Sequence, residues 1–529
     1  MQKSSRELKS LYFPLLLLVI CVISHALILN HSFMIDDSFY QNDKETLKLY
    51  PHFIDFFTQD QSTHYIPLNF LLNVSLFHLI KQPLPLYWLN IVLFYLDGLL
   101  LFYFIRLISK STPAALLTSI IFCIHPMSSE IIQHITFNII LIQMALLEVS
   151  LITLYKYHQS DKKHFSYYLT SLTAFFLALF CQENTLLFPL YAAALLFLLT
   201  ATSPTKIIKT LIPYILLDLL LVILWLLNAS HTANFIQNWH TSQLTFWNWS
   251  TNFFRLAAWY LKNLFFPQNI VFEYSLIPAN NLSCLWNIVP WGILTGITLL
   301  ILFYFKKSIE SFALIIFLTG FIYAVPASLA HPEIGLVFEP HWVYFSSIGF
   351  FLFIVLLLLE LNGHIFRIIY VVLISFILMS LLISTQRLHI SSKNELSYYE
   401  NWLRVSPHNT YAMLLLAKHY SLYKNLPIPH DLIPDMISAV DVLIKNDFYI
   451  SAPKLIEKLS AYKLSSAQRD ELLLKSKEAY LLAGVDLANQ GLYEQSIAEW
   501  ERGLAIAPTD SRFLADIKKA KELEAQKPG

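Results

Sequence analysis

The sequence predicts an all-α protein: a polytopic membrane helix bundle followed by a soluble helical domain. Three observations predict it. Eleven apolar runs lie between residues 11 and 386, each near the ~20 residues that cross a bilayer as a helix. Hydrophobic residues make up 56% of the chain and charged residues only 14%, a balance that excludes an ordinary water-soluble enzyme. Beyond residue 387 the apolar residues switch to helical spacing among dense charges, which is the pattern of amphipathic helices packed in water.

The runs place spans near 11–30, 87–108, 112–126, 131–155, 165–181, 184–202, 210–228, 287–305, 310–330, 342–361 and 366–386. The first follows Lys3, Arg6 and Lys9 and runs to Leu29 with no small-residue cleavage site, so it reads as an uncleaved signal anchor. Cytoplasmic loops collect Lys and Arg. An inside N-terminus puts Arg106, Lys110, Lys156, Lys162, Lys163, Lys206, Lys209, Lys306, Lys307 and Arg367 on one side, and the alternating loops near 125–130, 181–184 and 331–341 carry none. The bundle, residues 1–387, then exposes two large segments, 31–86 and 229–286, on the extracytoplasmic side. An odd span count sends the domain of residues 388–529 to that side as well. In the second segment "NFFRLAAWYLKNLFFP" (252–267) is amphipathic, with Arg255 and Lys262 among aromatics, and is expected to lie in the interface plane.

Net charge is zero and no nucleotide-binding loop occurs, which argues against nucleic acid and against a soluble nucleotide substrate. Four cysteines, Cys21, Cys123, Cys181 and Cys284, stand far apart without metal-ligand or disulfide spacing and read as packing residues. In the tail, Gly484, Trp500, Gly503 and Pro508 stand where a 34-residue helix-turn-helix repeat places a small residue, an aromatic, a second small residue and a helix stop. The tail therefore resembles two or three degenerate tetratricopeptide repeats.

The polar residues of the bundle supply its chemistry. "MIDDSFYQND" sets Asp36 and Asp37 just past the first span. Carboxylates beside a bilayer are solvated, paired or used, and one of this pair can serve as general base toward a hydroxyl. "HPMSSE" adds His125 and Glu130, "CQEN" adds Glu183, and "HPEIGLVFEPHWVYF" adds His331, Glu333, Glu339, His341 and Tyr344. The Lys/Arg topology puts all of these on one face, where a shared pocket would unite them. Asp97, Glu148 and Asp218 lie inside spans, and the first two are expected to pair between helices.

From about residue 15 to 386 the chain resembles the C superfamily of membrane glycosyltransferases, in particular the transmembrane and tetratricopeptide-repeat-containing O-mannosyltransferases and their bacterial relatives. The resemblance rests on "IDDSFYQND", "HYIPLNFLLN", "LYWLNIVLFYLDGLLLFYFIRLI", "LTSIIFCIHPMSSEIIQHI", "LFCQENTLLFPL", "YLKNLFFPQNIVFEYS" and "HWVYFSSIGF", in that order. It implies a polyprenyl-phosphate sugar as donor, a protein or glycan hydroxyl as acceptor, and inverting transfer on the extracytoplasmic face of a bacterial inner membrane. Asp36 then maps to the catalytic carboxylate and Asp37 to acceptor positioning. His64, His125, Glu130, Glu183, His341 and Tyr344 would surround the donor. No metal site is assigned, though the acidic loop is compatible with a divalent ion. Four cations common in the family are absent: its Tyr-Arg-Pro-Leu is Tyr65, Ile66, Pro67, Leu68, and Asn138, Gln182 and His341 stand at the other three positions. Histidines can take over as donors to phosphate. A noncatalytic, membrane-anchored repeat scaffold for envelope assembly is the competing expectation, and a transporter a weaker one.

Overall fold

A computed structural model describes residues 2–35, 37, 40, 52–53, 55–58, 65–160, 164–227, 246–276, 296, 307–327, 336–360, 364–407, 409–423 and 425–525. It divides into two compact units, Met1–Glu395 and Leu396–Gly529. Among the described residues, the regular secondary structure is helical apart from one two-stranded antiparallel ribbon.

The first unit begins with α1 (Gln2–His25) and a 3₁₀ turn, Ala26–Asn30, then the short α2 (Asp55–Thr58) and α3 (Pro67–Leu79). Next come α4 (Pro83–Ser109), α5 (Thr112–Ile124), α6 (Pro126–Ser129), α7 (Asn138–Gln159), α8 (Phe165–Leu179), α9 (Phe188–Leu199) and α10 (Pro204–Leu227). The unit is completed by α11 (Phe246–Phe265), β1 (Tyr274–Leu276), α12 (Ile309–Ala327), β2 (Leu336–Phe338), α13 (Tyr344–Glu360) and α14 (His364–Ser391). β1 and β2 pair in the register Tyr274↔Phe338. Prolines stand in the first turns of α3, α4, α5, α6 and α9, where a missing N–H costs nothing. Ser111 caps α5 by accepting from the Ala114 amide at 3.3 Å, and Lys110 closes α4 in the left-handed conformation at φ 56°.

Among the described residues, six helical stretches are long and apolar enough to cross a membrane: Tyr12–Asn30, Pro83–Ser109, Ile135–Gln159, Pro204–Leu227, Pro340–Glu360 and Val371–Ser391. Thr112–Ile124 with Pro126–Gln133 makes a seventh if a 57° bend counts as one span. The expected spans at 165–181 and 184–202 appear as shorter apolar helices, Phe165–Leu179 and Glu183–Leu199, and the one at 310–330 as α12, Ile309–Ala327. The expected span at 287–305 lies outside the described residues apart from residue 296. The first two are shorter because the chain between them leaves helical geometry: Gln182 is extended and Glu183–Leu187 tighten into a 3₁₀ turn. Small residues set close contacts. A Cβ on Gly349 of α13 would run into the Ala313 carbonyl of α12, so the two backbones meet there directly. Phe175, Phe188 and Tyr214 interlock α8, α9 and α10 with ring centroids 4.9–5.5 Å apart. Cys21, Cys123 and Cys181 are buried free thiols.

The second unit stacks α15 (Glu395–Val405), α16 (Thr410–Leu422), α17 (Ile433–Lys445), α18 (Ser451–Ser460), α19 (Ser466–Asn489), α20 (Tyr493–Ile506) and α21 (Ser511–Ala525). Ser465 and Gln468 form a reciprocal capping box at the head of α19. Gly491, at φ 76°, turns the chain into α20 through a conformation that only glycine adopts without strain. The Trp500 indole lies over Gly484, where a Cβ would collide with it, and its N–H donates to the Leu481 carbonyl at 3.0 Å. Gly503 receives the Phe513 ring in the same way.

Candidate functional site

The site is built where helix geometry fails. His125 precedes Pro126, and a residue before proline is driven out of the α region; it sits at φ −79°, ψ 128° and ends α5. The chain then runs through α6 and two 3₁₀ turns, Glu130–Gln133 and Ile135–Phe137, before α7 resumes at Asn138. Every residue from His125 to Asn138 is buried. Irregular backbone in an apolar unit must find its hydrogen bonds in side chains, and here it does. Tyr87 donates to the carbonyls of Ser32 (2.9 Å) and Gln133 (3.2 Å), and Asn90 donates to that of His134 at 2.9 Å. Asn73 donates to the Thr136 carbonyl at 3.1 Å, and Asn138 to the Ile135 carbonyl at 2.8 Å and Asn73 Oδ1 at 2.9 Å.

Asp37 belongs to this scaffold. Fully buried, its carboxylate accepts from the Met34 amide at 2.9 Å and, across the unit, from the Thr136 amide at 3.2 Å. It ties the loop after the first long helix to the hairpin. Two carboxylate–imidazole pairs flank the anchor point. Glu130 stands 3.2 Å from His134 Nε2, one helical turn on, with both side chains 1% exposed. Glu339 stands 2.9 Å from His341 Nε2. Phe137 separates the pairs, its ring 4.9 Å from that of His134 and 4.6 Å from that of His341. Phe272 closes the group, 5.0 Å from His134. Beside it, burial pushes the Tyr274 phenol up, and the Glu130 carboxylate adds to the effect. β2 and α11 hold the second pair in place, because Tyr260 donates to the Glu339 carbonyl at 2.7 Å.

Asp37, Glu130 and His341 thus converge on residues 134–137, while the other expected site residues are dispersed. Asp36 and His64 lie outside the described residues, as do His331 and Glu333. His125 turns the other way: Nδ1 accepts from the Met127 amide at 3.1 Å, Nε2 meets the Leu264 carbonyl at 3.1 Å, and the ring packs on Phe351. Glu183 accepts from the Tyr65 amide at 2.9 Å. Its 3₁₀ turn is joined to α7 by Gln143, which donates to Asn184 Oδ1 and to Thr185 Oγ1. Asn184 and Trp342 line one small cleft with Leu147, Tyr191, Gly320 and Ser346, so the Glu183 turn and the His341 turn are neighbours. Tyr344 points away from both pairs and donates to Asp97 Oδ2 at 3.0 Å.

Asn73, Tyr87, Asn90 and Phe272 were not singled out from the sequence. Asn73 and Asn90 did leave a signal, since each is an amide inside an apolar run. Phe272 left none, because one aromatic among many carries no mark of which hairpin it will meet. A group of three or more metal-ligating side chains is absent among the described residues. In the second unit, a groove of about 750 Å³ is lined by Tyr420, Pro453, Lys458, Tyr462, Glu499 and Arg502, among others. Comparison with known proteins returns no matching family, no similar curated protein and no similar solved structure.

Proposed function

We propose that the protein is a membrane glycosyltransferase of the C-superfamily type, moving a sugar from a polyprenyl-phosphate donor to a hydroxyl acceptor on the extracytoplasmic face, with inversion. The observation that carries this reading is the buried, side-chain-supported hairpin of residues 125–138, to which Asp37 is bonded through Thr136 and around which two carboxylate–imidazole pairs gather. A bundle that only anchors a tail has no need to bury irregular backbone with two such pairs, since each polar group so placed carries a desolvation cost.

In this mechanism Asp36 is the general base. It takes the proton of the acceptor hydroxyl as the oxygen bonds to the anomeric carbon, and the bond from that carbon to the phosphate oxygen breaks on the opposite face. Polyprenyl phosphate departs with the bonding electron pair. Asp37 is a positioning residue that holds the Asp36 loop against the hairpin. His134 and His341 supply N–H donors toward the leaving phosphate, replacing the arginines this chain lacks. The family-like count of eleven spans, the inside N-terminus and the bacterial inner membrane belong to the same proposal. So does the assignment of the second unit as tetratricopeptide-like repeats that recruit a protein or glycan acceptor through their groove.

Purified protein in lipid nanodiscs, given a radiolabelled polyprenyl-phosphate hexose and a membrane-protein acceptor fraction, tests the proposal. Transfer or slow hydrolysis of the donor is expected, and Asp36→Asn should abolish it at unchanged thermal stability. A parent protein that binds acceptor but never releases polyprenyl phosphate, with or without added divalent metal, establishes the scaffold instead.

A further inference from the structure

Two buried acids stand near the middle of two long helices that pack against one another. Asp97 sits near the centre of α4 and Glu148 near the centre of α7, helices that pack closely along their length. They are 0% and 1% exposed, and the charge of Asp97 reaches Glu148. Tyr344, heading α13, donates to Asp97 Oδ2 at 3.0 Å. Asp97 Oδ1 and both oxygens of Glu148 have no hydrogen-bond partner among the described residues. The other titratable groups whose fields reach the pair are the thiols of Cys21 on α1 and Cys123 on α5. No Lys or Arg is among these neighbours, so nothing described there offsets two negative charges.

Two ionised carboxylates in that setting would lose their hydration and repel one another with no compensating cation. A buried ionisable residue inside a membrane-type bundle is retained for a purpose more often than by accident. We propose that Asp97 and Glu148 form a proton-binding site, a carboxylic-acid pair whose bound proton neutralises the interior of the bundle. A proton on Glu148 removes its charge and gives that side chain an O–H to donate, while Asp97 accepts from Tyr344. The site is coupled to the hairpin region through Tyr344, which opens α13 three residues after His341 in the 3₁₀ turn that leads into it. Release of the proton places charge where Tyr344 anchors α13, and the turn carrying His341 feels the change. The site stands whether or not the chain transfers sugar.

Infrared spectroscopy of the full-length protein in nanodiscs reads it directly. The parent is expected to show a protonated-carboxyl C=O band at neutral pH, and Asp97→Asn and Glu148→Gln, which imitate the protonated groups, should fold and diminish it. Their apparent thermal midpoints should stay level toward alkaline pH, where the parent's midpoint falls, because the folded parent binds more protons than the unfolded chain. Should a variant fail to fold, the parent spectrum alone still decides. Absence of a protonated-carboxyl band in the parent overturns the proposal. So does a parent midpoint that rises on addition of sodium, potassium or calcium, with that response lost in Glu148→Gln, since the occupant is then a metal cation.

Discussion

Replacing Asp37 separates a residue that holds the site together from one that performs chemistry. Its carboxylate accepts from two buried backbone amides, Met34 at 2.9 Å and Thr136 at 3.2 Å. Hydrogen bonds to a charged group are worth about 1.5–3 kcal/mol each, so Asp37→Ala, which strands both amides, should cost about 3–6 kcal/mol. Asp37→Asn keeps one acceptor oxygen and turns a donor toward the other amide, and should cost about half of that, since only one bond is lost. The measurement is the apparent thermal midpoint of the full chain in nanodiscs, with hydrogen exchange at the Thr136 amide as a local report. Exchange at Thr136 should accelerate in both variants, and donor turnover should fall in step with stability. If Asp37→Ala melts with the parent and leaves Thr136 protected, the anchoring role is wrong, and the link between the first long helix and the hairpin must be sought elsewhere.

Two further outcomes are expected. His31 is held down to about 4 by burial, with the His134 and Lys393 charges adding to this and its bond to the His389 carbonyl opposing it. The unfolded chain then binds the extra proton between about pH 6.5 and 4, so stability rises with pH through that window, by about 3 kcal/mol for this one group. His31→Gln, which can still donate to the carbonyl, should flatten that acid limb in a pH series of thermal midpoints; an unchanged limb contradicts the assignment. In the second unit, Trp500 is 3% exposed over Gly484, and Trp500→Ala should cost about 3–5 kcal/mol by leaving a cavity. Circular dichroism and limited proteolysis should report loss of α19–α20 packing, and intact resistance to protease would refute the contact.

Much of the fold was legible in the chain because apolar run length is a one-dimensional property. The long helices of residues 83–109, 204–227 and 340–360 follow from it. Two runs came out shorter than a bilayer, since hydropathy does not register where Gln182 and Glu183 let the backbone leave the helix. Pro126 announced a break, but not that the break would be buried and held by Tyr87, Asn90 and Asn73 from other helices.

The sequence by itself determined that the chain is built of apolar helices with a charged helical tail, and it put forward a set of acids and imidazoles at the helix ends. Tertiary structure alone decided which of them meet. It drew Asp37, Glu130 and His341 around Phe137, turned His125 onto the Leu264 carbonyl, and sent Tyr344 to Asp97. The reason is physical: periodicity assigns a residue to a face of its own helix, whereas a polar side chain in an apolar interior goes to whatever unsatisfied group the packing of other helices brings within about 3 Å.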